Sequence, residues 1–352
     1  MKNSQLILQG TQHTGKVMWT FSAIVFCLLS LMSPMQCLGG EEWWEGVCRK
    51  AEKTPLPVMD LPDAETAKTL IKCDSANLYY GFDIEPEPIK ARHCAYLEFE
   101  NEKIDRKDEN VFGGSAILMM IYANGNGVKK NIDVAIKFAC KVNGAQAEID
   151  ERIKHLQDLK RSKGGKRFDI CDDITSGYMQ GHCAERQQRF VKAKLKRSLE
   201  GILAKWSEID KQSFAALKQS FGKFSDARTM NEVDSSGADR TANFIAEETA
   251  LSEDFVNSIV QFEKGALPRY TKADFTNEDR ELNALYKKIM SKKDYYWGSV
   301  KKGDIKLTQK VWLKYREAWV NFGRQKYPQV TEDSWRTWLT NKRKNMFKEL
   351  LN

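Results

Sequence analysis

Two stretches decide how this chain folds: Leu282-Asn283-Ala284-Leu285-Tyr286 and, after a polar spacer, Leu307-Thr308-Gln309-Lys310-Val311-Trp312-Leu313-Lys314-Tyr315-Arg316. Leu282, Tyr286 and Ile289 recur at three- and four-residue spacing, as do Trp312, Tyr315 and Trp319. Each segment therefore presents one apolar stripe while its other faces stay charged, which is the pattern of an amphipathic helix. Lys301-Lys302-Gly303-Asp304 lies between them, with Gly303 suited to end one helix and Asp304 to cap the next. An antiparallel helical hairpin is the expectation. A third amphipathic segment, Trp335, Trp338, Leu339, Met346 and Leu350, closes the bundle.

Helical periodicity extends upstream to about residue 115 with few strand-like alternations, so the fold class read from the sequence is all-α. At 352 residues, 41% hydrophobic and 30% charged, the chain is long enough for two or three ordinary cores and too apolar to be disordered.

The first 39 residues carry Lys2 and Lys16 but no acid, then an apolar run from Val17 to Met32, then Ser33-Pro34 and the small residues Gly39 and Gly40. That order predicts an export signal at 1–39, with an uncleaved membrane anchor as the alternative. Its removal leaves six cysteines, Cys48, Cys73, Cys94, Cys140, Cys171 and Cys183, an even number suited to an oxidising compartment. Many connectivities are open. Pairing near neighbours, Cys48 with Cys73, Cys94 with Cys140 and Cys171 with Cys183, would close the most compact loops.

Charge is unevenly placed. The whole chain is +8, or +6 without Lys2 and Lys16. Residues 268–352 hold 20 basic and 10 acidic side chains, so the preceding part, from residue 40 to 267, is net acidic at −4.

The pattern Leu282-Asn283-x-x-Tyr286, then Gln309-x-x-Trp312-x-x-x-Arg316, resembles the N-terminal domain of the LprI-type lysozyme inhibitors, small helical domains of the bacterial cell envelope. The resemblance covers residues 277 to 351. It implies an exported, periplasmic binding protein acting on a lysozyme-type muramidase, with contacts expected from Lys301, Lys302 and Asp304 on the interhelical loop or from the turn at Arg316. One departure is plain: no cysteine follows Cys183, whereas many members staple this unit with disulfides.

Upstream, Gly114-Ser115-Ala116 through Gly125-Asn126-Gly127-Val128, then Asn131-x-Asp133-x-Ala135-x-x-Phe138-Ala139-Cys140, resembles the Sel-one-like repeat, a relative of the tetratricopeptide helix pair. A degenerate partner is expected at 75–110. The organisation read from these features is a signal at 1–39, a cysteine- and proline-containing segment at 40–112, the helical repeat at 113–160 and a basic linker at 161–170. A helical region at 171–266 and the LprI-like domain at 267–352 follow. Shifted by 91 residues, Leu195 falls on Tyr286, Trp206 on Trp297, Phe221 on Trp312 and Phe224 on Tyr315. Residues 171–266 therefore read as a diverged copy of the C-terminal unit or as coincident helical periodicity.

Chemistry-bearing motifs are sparse. His93, His155 and His182 are isolated in sequence, with no metal-ligand spacing between them. His182 beside Cys183, with Cys171 upstream, could be drawn as a zinc site, but a disulfide suits the compartment better. The glycine clusters at 113–114 and 125–127 lack the nucleophile-elbow and phosphate-loop residues. The expectation is a non-enzyme with no cofactor and no metal. Nucleic acid is not the expected partner, and the membrane is expected only through an uncleaved leader. The function read is an envelope binding protein that inhibits or protects against a muramidase. Its alternative is an adaptor that tethers to peptidoglycan or an anionic membrane surface through the basic C-terminal domain.

Overall fold

The computed structural model describes residues 42–82, 84–102, 111–162, 166–293 and 295–351. The expected export signal lies outside the described residues, among which no helix is long and apolar enough to cross a membrane. Thirteen α-helices, two short 3-10 turns and no strand occur among the described residues, so the chain is all-α.

Six helices enclose a first core, α1 (Trp43–Glu52), α3 (Ser75–Tyr80), α4 (Pro88–Glu102), α5 (Gly114–Asn124), α6 (Ile132–Ala139) and α7 (Gln146–Arg161), while α2 (Ala64–Thr69) packs on α4 from outside. Every residue of α5 from Gly114 to Ala123 is buried. A helix apolar on all sides must be surrounded, and α5 lies between α4 and α6 with α3 also against it. It ends at Gly125, whose φ of +74° is left-handed, and Gly127 follows at +68° with Pro88 so close that a Cβ would stand 3.1 Å from it. Asn131 then caps α6 by accepting from the Val134 amide at 3.2 Å.

Three disulfides brace this part, and two of them correct the near-neighbour pairing. Cys48 joins Cys140 and Cys73 joins Cys94, while Cys171 joins Cys183 as expected, with Cα separations of 5.7, 6.0 and 5.9 Å. The reason is tertiary: α1 docks on α6 and α7, which brings Cys48 to the end of α6. That leaves Cys94 of α4 facing the segment that carries Cys73. Such bonding belongs to an oxidising environment.

The handover to a second core occurs inside α8 (Gly177–Leu203), where Met179 belongs to the first core and Leu195 to the second. Phe168 and Ile170, within the segment read as a linker, are buried in the first. The second core is closed by α9 (Glu208–Glu232), α10 (Arg240–Glu263), α11 (Lys272–Ser291), α12 (Lys302–Lys326) and α13 (Glu332–Glu349). Side-chain caps set most of the starts: Ser207 for α9, Thr271 in a reciprocal box with Asp274 for α11, and Thr331 for α13.

The simple hairpin is corrected here. Helix α11 lies along α13, not α12, and α12 lies along α9. Tyr315 of α12 stacks on Phe224 at 5.0 Å and meets Phe221 at 5.9 Å, while Trp319 stacks on Trp335 at 6.0 Å. The aromatic stripe of α12 is thus covered by α9, α10 and α13. A second correction concerns the turn: α12 begins at Lys302 after Lys301, so Gly303 and Asp304 lie in its first turn and neither ends nor caps a helix. Asp304 there still suits the positive helix N-terminus.

The pairing repeats itself. Helix α10 lies on α8 as α13 lies on α11, and the two 25-residue helices α9 and α12 run antiparallel against each other at the centre. Their contacts run in opposite order, from Asp210 with Lys326 through Phe214 with Phe322 to Asn231 with Thr308.

Candidate functional site, a lysine face on the second bundle

The family-motif residues build the bundle's interior and its seams. Leu282 and Trp312 are buried, and Tyr286 is half-buried with its ring 6.0 Å from that of Phe347. Arg316 reaches across from α12 to α11, donating to Asp279 at 3.2 Å with its guanidinium over Trp312 at 5.1 Å; Asn283 donates to the same Asp279 at 2.9 Å. Gln309 accepts from Arg343 Nε at 2.9 Å. Arg316 and Gln309 are struts between helices, whereas the bond of Asn283 stays within α11, where an exposed groove is lined by Phe275, Asp279, Arg280, Asn283 and Lys287.

Gln309 opens onto a buried ionic group. Arg343 and Glu232 are both fully buried and share two hydrogen bonds, at 2.8 and 2.6 Å. Arg228 adds a bond to Glu232 at 2.8 Å and another to Glu247 at 2.8 Å. Burial works against the Arg228 charge, but Glu232 and Glu247 outweigh it and hold its pKa above the usual value. Every charge here has a partner, as charges removed from water require.

The free charge lies on the outside of α12. Lys302, Lys306, Lys310 and Lys314 recur every four residues, and no acid occurs from Ile305 to Arg316. At 100° per residue these four and the exposed Leu307 and Leu313 fall within roughly 140° of the helix circumference. None of the four lysines has an ion-pair partner among the described residues. Glu317, further along the face, is held by Arg316 at 3.2 Å and Arg336 at 3.0 Å.

The loop before α12 is fixed beside that face. Trp297 donates its indole N–H to the Leu350 carbonyl at 2.5 Å and lies 4.3 Å from the Tyr295 ring. Lys302 donates to the Lys292 carbonyl and lies 5.2 Å above Tyr295. Gly298, at φ +57°, lets the Asp234 carboxylate sit against it, and Asp234 accepts from the Ser299 and Ser236 amides at 2.9 Å each. Those amide bonds, Ser299 first, pull the Asp234 pKa down to about 2. Tyr296 is the large side chain this loop leaves in solvent, 97% exposed. Of the contact residues expected from sequence, Lys301 is exposed at the foot of this face, Lys302 is its first member, and Asp304 is half-buried. Lys306, Lys310, Lys314 and Tyr296 were not singled out from the sequence, although the four-residue spacing was there to read.

Elsewhere, each histidine among the described residues has its own neighbour. His155 meets Asp173 at 2.9 Å, His93 meets Arg92 at 3.1 Å, and His182 lies between Tyr178 and Phe112. Among the described residues, the cluster of ligand-type atoms is Cys73, Cys94 and Glu98, and both of its sulfurs are in a disulfide.

A scan against protein-family models, a search of curated proteins and a search of solved structures each returned no match.

Proposed function

We propose that this chain is an exported, periplasmic, non-catalytic binding protein whose second bundle holds an anionic surface of the cell envelope through the lysine face of α12. One observation carries this reading: Lys306, Lys310 and Lys314 share an exposed helix face with no ion-pair partner among the described residues, above the half-buried Lys302, on a bundle whose buried charges are all paired. Unpaired surface charge on a rigid helix attracts an oppositely charged partner and costs the fold little. The three disulfides fit export. The test is recovery on isolated peptidoglycan sacculi and on anionic vesicles in low and high salt. Binding should fall steeply as salt screens it, and the Lys306→Gln/Lys310→Gln/Lys314→Gln variant should bind poorly at any salt. Recovery independent of salt and of these lysines on both surfaces would sink the reading.

Inhibition of a lysozyme-type muramidase is the second reading. The LprI resemblance suggests it, and a feature outside the resembling region favours it. The 3-10 turn Val58–Asp60 sits between Pro57 and Pro62, with Met59 91% and Val58 77% exposed. Asp60 ties the turn down, accepting from Tyr122 at 2.9 Å and pairing with Arg92 at 3.4 Å. Between Pro55 and Pro88 the chain has seven acids and two lysines. A basic enzyme is repelled by the second bundle at long range but attracted to this acidic part, where a preformed apolar tip loses little entropy on docking. Purified protein should then slow lysozyme turnover and Met59→Ser should relieve it. Unchanged turnover at large molar excess removes this reading.

A further inference from the structure

Resting on the first of these readings, we infer that the anionic surface is a lipid bilayer, entered by Tyr296, Leu307 and Leu313 while the α12 lysines hold the phosphates. Three observations converge on it.

The lysines alone do not choose between a sugar polymer and a membrane, because both offer negative charge. The apolar side chains do. Leu307 is 54% exposed and Leu313 41%, and both stand among Lys302, Lys306, Lys310 and Lys314 on one face. An isobutyl group gains nothing from a hydrated glycan. At the boundary between headgroups and acyl chains it gains burial, while lysine stems lie along the apolar layer and keep their ammonium groups at phosphate level.

Tyr296 lies on the loop that leads into α12. It is 97% exposed on a loop pinned by Trp297 to Leu350 and by Asp234 to Ser299, so its projection is held rather than accidental. A tyrosine, with an apolar ring and a polar tip, suits the headgroup region. Lys292, Lys293, Lys301 and Lys302 flank it in sequence.

The partner helix supplies an internal comparison. Under the 91-residue shift that lays Phe221 on Trp312, Leu307 falls on Ala216 and Leu313 on Gly222. Helix α9 fills the same role in the core with almost no side chain at these two outward positions. Packing therefore does not require leucine at these two positions of α12.

The test uses residues 42–352, which form one compact unit, with vesicles of phosphatidylcholine containing phosphatidylglycerol, pure phosphatidylcholine vesicles, and sacculi. The expected result is strong binding to anionic vesicles and little to neutral ones. Each lysine near such a surface contributes roughly a fivefold gain in partition, so Lys306→Gln/Lys310→Gln/Lys314→Gln should lose about 100-fold. The variant Tyr296→Ser/Leu307→Gln/Leu313→Gln should keep its helical content and melting temperature yet lose roughly tenfold or more on anionic vesicles, with sacculus binding unchanged. Equal vesicle binding by that apolar variant overturns the lipid assignment and leaves the electrostatic reading standing, as does wild-type protein that binds sacculi but not anionic vesicles. Wild-type protein that binds neither surface defeats both.

Discussion

Replacing Arg343 by methionine tests whether the second bundle depends on its buried charge group. The guanidinium has no exposure, gives Glu232 two bonds at 2.8 and 2.6 Å, and gives Gln309 a third at 2.9 Å. Methionine fills much of the volume, so the loss is electrostatic more than steric. Breaking a buried pair from one side costs about 3 to 5 kcal/mol, because the remaining ion stays out of water unpaired. Here Glu232 keeps Arg228 at 2.8 Å, which places the expected cost near the lower limit, about 3 kcal/mol. Neutralising the stranded carboxylate should recover part of it: Arg343→Met/Glu232→Gln should be less destabilised than the sum of the single changes by about 1 kcal/mol or more. Urea unfolding of residues 42–352, followed by tryptophan fluorescence, reads this out, since Trp206, Trp312, Trp319 and Trp335 all lie in the second core. A single-variant cost below about 1 kcal/mol, or strict additivity in the double variant, would refute the claim that these groups act as one buried unit.

Proteolysis without reduction should yield peptides linking Cys48 to Cys140 and Cys73 to Cys94; a Cys48–Cys73 peptide would disprove the docking of α1 on α6. Two glycine substitutions should move stability in opposite directions. Gly222→Ala, where a Cβ meets nothing within 4 Å, should stabilise α9 by about 0.5 to 1 kcal/mol. Gly323→Ala would instead put a Cβ 2.3 Å from the Trp335 indole and should lower the melting temperature. Because the folded pKa of Asp234 is depressed to about 2 from 3.8, its contribution is complete above pH 3.8 and is lost as the pH falls through about 2. Asp234→Asn should flatten the acid limb of a stability profile over that range, and an unchanged limb would count against the docking of its loop on Ser299.

The helical class could be read from the sequence because the 3.6-residue period of Leu282, Tyr286, Trp312 and Tyr315 states which face of each segment is apolar. It does not state what covers that face. Two stripes thirty residues apart invite a hairpin, yet the stripe of α12 is covered by Phe221 and Phe224 from a helix some ninety residues earlier. The cysteines show the same limit, since their number follows from compartment and their pairing from which helices dock. Arg343 and Glu232, separated by 111 residues, carry no sequence signal that they will meet. The lysine spacing on α12 was legible but reads first as solvated charge, and only the burial of its opposite face fixes it outward.

The central helix pair separates what folding requires from what it does not. Helices α9 and α12 are equally long, lie against each other and bury aromatic stripes in the same register, so packing makes similar demands on both. At the positions that correspond under the 91-residue shift, α12 has Lys302, Lys306, Lys310 and Lys314 where α9 has Lys211, Ala215, Gln219 and Lys223. Alanine and glutamine at two of the four positions show that a helix in this place needs no continuous cationic stripe to pack. Like charges four residues apart also repel along a helix by a few tenths of a kcal/mol per pair, so the stripe slightly opposes the stability of the helix that carries it. A destabilising feature confined to the outward face of one of two like-placed helices, beside apolar side chains that its counterpart lacks at the two matching positions, is the pattern of a surface shaped by a partner and not by the core.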